Sequence, residues 1–89
     1  MTKAEKAFEI LDAIKTERSD IKTVIHTARH IKPMDTDHGF VASAKWAAAK
    51  TIIQRLVDSP KLRYADFPDY DDATGESKMF NQLNDIAYS

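Results

Sequence analysis

Residues 40–59, FVASAKWAAAKTIIQRLVDS, hold the longest helical pattern in this 89-residue chain, and the fold follows from how that pattern is flanked. Val41, Ala42, Ala49, Ile52, Ile53 and Leu56 recur at helical intervals, with Trp46 and Val57 on the edge of the stripe, while Ala44, Ala47 and Ala48 lie around the other side. A helix that is apolar on one side and alanine-smooth on much of the other admits neighbours on two sides. The spacing therefore predicts a central helix over 38–58.

On its N-terminal side, Lys32 precedes Pro33, and the proline ring disfavours helical geometry in the residue before it. A second helix over 20–32 is expected to stop there, carrying Ile21, Val24, Ile25, Ala28 and Ile31, with Ser19 or Asp20 as its cap. Thr2 and Glu5 have capping-box spacing, and Ala4, Ala7, Phe8, Leu11 and Ile14 follow as the stripe of a first helix over 3–18. The first two stripes are rotated relative to each other, which favours a break near Ser19 over one bent helix.

On the C-terminal side, Ser59 and Pro60 end the central helix and are suited to start a short new one. An irregular acidic segment over 60–75 precedes a last helix over 76–87, built on Met79, Phe80, Leu83, Ile86 and Ala87, with Thr74 as the expected cap. No period-two alternation and no internal repeat is present. The prediction is an all-α, small single-domain bundle of about four helices with a long irregular connection before the last.

Composition limits the function. There is no cysteine, so disulfides, thiolate metal sites and a cysteine nucleophile are excluded, as suits a reducing cytoplasm. The N-terminal residues are charged every few positions, without the apolar core of a signal peptide. Two glycines cannot build a glycine-rich phosphate loop, no cofactor is implied, and the serines have no nucleophile-elbow context. The expectation is a soluble cytoplasmic protein without catalytic activity or membrane contact.

The net charge of −1 is unevenly placed. Residues 1–63 hold 12 Lys and Arg against 8 Asp and Glu, and residues 64–89 hold one Lys against six acids. Two surfaces of opposite sign are expected.

Three residue sets compete for a functional role. The stretch HTARHIKPMDTDHGF, residues 26–40, holds every histidine, and His26, His30, Asp37 and His38 are the candidates for a divalent metal. The i, i+4 spacing of His26 and His30 matches zinc peptidases, but Thr27 stands where the general-base glutamate belongs, and both rings project away from the apolar stripe. Asp35 and Asp37 have the competing task of capping the central helix. The expected reading is a solvated helix face with a capping loop, on which Arg29 and Lys32 would repel a cation.

The second set is the basic outer face of the second helix, Lys22, His26, Arg29, His30 and Lys32, suited to phosphate backbone or an acidic protein and gaining charge as imidazoles protonate. A nucleic-acid-binding helical protein is the alternative this face supports. The loop to the next helix is nevertheless longer than a helix-turn-helix allows, and the alanine-rich helix offers few base-reading groups.

The third set is YADFPDYDDATGE, residues 64–76. With Asp69 as first ligand, a calcium loop fails on spacing, since glycine falls at the seventh position and Phe80 at the twelfth. Tyr64, Asp66, Asp69, Tyr70, Asp71 and Asp72 instead suggest a surface for a protein partner with a basic face, because aromatics give contact area and carboxylates steer encounter. Phe67, and Tyr64 with it, is expected to tuck inward. The sequence thus points to a protein-binding module of inhibitor, immunity or adaptor type, of the kind found among phage and mobile-element accessory proteins; a homo-oligomer is compatible with it.

Overall fold

The computed structural model describes residues 2–59 and 62–89. Four helices form in the expected order: α1 (Lys3–Ala13), α2 (Ser19–Ile31), α3 (Gly39–Asp58) and α4 (Lys78–Ala87), with a short 3-10 turn at Tyr64–Asp66. The small all-α bundle expected from the sequence is what the chain adopts. The suggested short helix starting at Pro60 lies outside the described residues.

The helices pack in the spatial order α1, α4, α3, α2, because α3 lies against both α2 and α4 while α1 packs mainly on α4. One core joins them: Ala7, Phe8, Ile10 and Leu11 from α1, Ile21 and Ala28 from α2, Ala49, Ile53, Leu56 and Val57 from α3, and Leu83, Ile86 and Ala87 from α4. Leu62 and Phe67 close it from the connection. The Gln54 side chain donates to the Ala87 carbonyl (2.7 Å), satisfying an end group of α4 and fixing the α3–α4 register. Among the described residues, the alanine side of the first half of α3 stays uncovered. Ala44, Ala47 and Ala48 are exposed, as are Phe40 and Val41.

Helix ends are where local pattern and structure part. α1 stops at Ala13 rather than near residue 18, because the Lys15 amide donates to the Asp66 carbonyl (2.7 Å) and Ile14 turns into extended backbone. A tertiary hydrogen bond here displaces a helical one, and the first two helices are separate. Thr2 does cap α1, accepting from the Glu5 amide (3.1 Å). By contrast α2 begins after Arg18 without a side-chain cap; Ser19 is its first helical residue, and Asp20 accepts from its neighbour Ile21 (2.9 Å).

Neither Asp35 nor Asp37 caps α3, whose cap residue is His38 with no side-chain bond. Asp37 instead closes its own loop, accepting from the Met34 amide (2.8 Å) and from Lys45 Nζ (2.7 Å). Thr74 does not cap α4 either. Ser77, buried at 1% exposure, takes that role by accepting from the Phe80 amide (3.1 Å), which moves the helix start to Lys78.

Candidate functional site

The candidates from residues 26–40 separate in the structure. His26 and His30 stand one turn apart on the exposed side of α2, their Nε2 atoms 2.8 Å apart and their rings edge to face with centroids 4.3 Å apart. Asp37 is committed to Met34 and Lys45, and the Lys45 bond, followed by that from Met34, holds its carboxyl below the usual carboxylate range. His38 is the α3 cap residue. Among the described residues, no three His, Asp or Glu side chains converge as a metal set.

The cations of the α2 face have partners on the protein itself. Lys22 pairs with Glu17 (3.6 Å), Arg29 pairs with Asp12 of α1, and Lys32 lies over the Phe8 ring at 5.4 Å from its centroid. Exposed pairs of this kind are weak. They nonetheless answer the positive charge locally.

The acidic segment is largely used for building. Asp66 was expected on the partner surface but is buried at 4% exposure, where it accepts from the Arg63 amide (2.8 Å) and the Arg18 guanidinium. A buried carboxylate must be paired, and this one locks the α1–α2 link to the 3-10 turn. Phe67 is buried and Tyr64 half-buried, both rings against Phe80 at 5.6 and 4.4 Å between centroids.

Asp69, which stays exposed, accepts from the Ser77 hydroxyl and the Met79 amide (3.0 Å) and so holds the start of α4. Desolvation alone would raise its pKa, but these bonds outweigh it and hold the carboxyl low.

What points outward is a tight turn. Asp71 and Glu76 bridge, the Asp71 amide donating to the Glu76 carbonyl (3.0 Å), and the Asp71 carboxylate accepts from Ala73 (2.9 Å). Gly75 completes the turn at φ +72°, a region side chains disfavour. Tyr70, Asp72 and Glu76 stay exposed on this ordered loop.

A broad concave surface was not foreseen from sequence. α1 and α3 make little direct contact, so the core stripe of α3 runs past its covering helix, and Ala42 and Trp46 continue the row of Ala49 and Ile53 into an open groove. The groove encloses about 1000 Å³. Ala4 and Phe8 of α1, Pro33 and Met34 of the loop, and Ala42 and Trp46 of α3 give it apolar walls.

The charged residues lining the groove are Glu5, Glu9, Asp12, Asp35 and Asp37 against Lys3 and Lys32, and three of the acids, Glu9, Asp12 and Asp37, are paired with Lys6, Arg29 and Lys45. Among the described residues, three of the five large exposed apolar side chains cluster in sequence at this end: Met34 at 63% exposure, Phe40 at 88% and Val41 at 50%. A second cavity, about 180 Å³ between α2 and α3 at Ile21, Val24 and Leu56, is below the size of typical ligand clefts. Trp46, the chain's one tryptophan, sits at the edge of the predicted stripe, and that was the one signal in the sequence for a groove.

Among the described residues, no helix is long and apolar enough to cross a membrane. No protein-family model matches the chain, and comparison with curated proteins and with solved structures found no match.

Proposed function

We propose that this protein is a binding module that receives a basic amphipathic helix of another protein in the groove between α1 and α3. The observation that carries the reading is the uncovered Trp46–Ala42 stretch of α3, apolar and lined by more carboxylates than lysines, with Glu5 and Asp35 beside the paired Glu9, Asp12 and Asp37. Helix-in-groove recognition needs this combination, an apolar channel for the anchor residues and flanking charge of opposite sign to the incoming helix. Trp46 is the natural anchor, since large aromatics dominate interface energetics.

The incoming helix would lie where α3 lacks a neighbour and complete the bundle. Inhibitor, immunity and adaptor proteins work by occupying a partner's surface in this manner, and the basic partner expected from the acidic segment is the same partner the groove edge favours. The turn at Tyr70–Glu76 supplies a second, outlying acidic contact: Asp72 and Glu76 are exposed and pre-ordered by Gly75 and the Asp71 bonds, so they steer a basic partner at little entropic cost. Nucleic-acid binding at α2 has weaker support, because Lys22, Arg29 and Lys32 already face Glu17, Asp12 and Phe8.

Calorimetric titration with two designed peptides of equal length, one a leucine–lysine amphipathic helix and the other leucine–glutamate, tests the reading. The basic peptide is expected to bind, the acidic one not to, and Glu9→Lys with Asp35→Lys is expected to weaken the basic peptide by about tenfold or more. Equal binding of both peptides, or an unchanged affinity in the rim variant, overturns it.

A further inference from the structure

We propose that His26 and His30 form a two-nitrogen chelate on the outer face of α2 for a tetragonal divalent transition metal, nickel(II) or copper(II). The two imidazoles lie at i and i+4 on one helix, both exposed, with Nε2 atoms 2.8 Å apart. Metal–imidazole bonds of about 2.0 Å at right angles place two nitrogens about 2.8 Å apart, whereas tetrahedral angles require about 3.3 Å. The hydrogen-bonded separation equals the distance between neighbouring corners of a square-planar or octahedral site, so the two rings need to turn toward a shared ion but not to move apart.

In the metal-free pair, one Nε2–H donates to the lone pair of the other ring. With that proton on Nδ1 instead, both Nε2 lone pairs are free to meet the ion. Water fills the remaining positions, since no third His, Asp or Glu among the described residues joins the pair.

The two cations that in sequence argue against a metal are Arg29 and Lys32, and Lys32 lies over the Phe8 ring. Arg29 is paired with Asp12 and Lys22 with Glu17. The helix supplies the rest of the preorganisation, because residues four apart already share a face.

Titration of the intact protein with nickel(II) chloride, followed by calorimetry, gives the affinity. His26→Gln and His30→Gln are each expected to weaken it by at least the tenfold or so that loss of even an outer-shell partner costs, while His38→Gln leaves it unchanged. In a parallel readout, trace copper(II) is expected to broaden the imidazole proton resonances of His26 and His30 and to spare His38. Wild-type protein that binds no nickel, or His26→Gln and His30→Gln proteins that bind as tightly as wild type, would overturn the site.

Discussion

Asp66, buried in the 3-10 turn, accepts a hydrogen bond from the guanidinium of Arg18, 48 residues earlier, and the same aspartate's carbonyl takes the Lys15 amide. One residue therefore both ends α1 and positions the start of α2. The side chain of Arg18 is 31% exposed and that of Asp66 only 5%, so the two partners are unequal. Removing the arginine leaves Asp66 its bond from the Arg63 amide (2.8 Å).

Asp66→Ala is expected to destabilise the protein by about 2–3 kcal/mol, the range for hydrogen bonds to a charged group, and Arg18→Ala by about 1 kcal/mol, since water reaches the arginine site. Urea unfolding of both variants and the double variant measures the pair. Equal and negligible losses would mean that the Asp66 bonds do not hold the α1–α2 link.

Ser77 is the second buried polar residue whose contacts predict a loss. It accepts from Phe80 and donates to Asp69, so Ser77→Ala removes the cap of α4 and one partner of the aspartate, with an expected cost of about 1–2 kcal/mol. Gly75→Ala should cost about 1 kcal/mol from backbone strain alone, because a Cβ there meets no atom within 4 Å. Thermal melts of the two variants separate a cap effect from a turn effect.

Acid sensitivity follows from Asp37 and Asp69, whose carboxyls are both held below the usual value. A group with a depressed folded pKa contributes stability that is fully present above its unfolded pKa, about 3.9, and that is lost as pH falls through the folded value. Asp37→Asn and Asp69→Asn are therefore expected to lie below wild type in stability at pH 7, and the gap should close below about pH 4. Denaturant midpoints measured from pH 7 to pH 2 check this; a gap independent of pH would contradict the sign.

Much of the fold was legible because the helical stripes of α1 through α4 are set by local spacing, and Pro33 marks a boundary that needs no tertiary information. The ends were less legible. Which of Asp35, Asp37 or Thr74 caps a helix depends on competitors: Lys45 takes Asp37, and Ser77 lies closer to its helix than Thr74. The length of α1 depended on Asp66, a residue far along the chain, and no periodicity reports that bond.

The candidate site was less legible still. His26 and His30 were placed on the outer face from helical projection, and they lie there. The acidic segment read as one surface because composition does not distinguish Asp66, which is buried, from Asp69 and Asp72, which are exposed. The groove arises because α1 packs on α4 and leaves the first half of α3 open, a relation among three helices that no single stripe encodes.

Trp46 makes the groove directly observable, since it lines the floor and is the chain's one tryptophan. Addition of a basic amphipathic helical peptide to the full chain is expected to shift Trp46 emission to shorter wavelength as water leaves the groove, and Ala42→Glu, which places a charge on the floor, is expected to abolish the shift. Saturable binding of that peptide with Trp46 emission unchanged would contradict the account, because the peptide would then be held elsewhere.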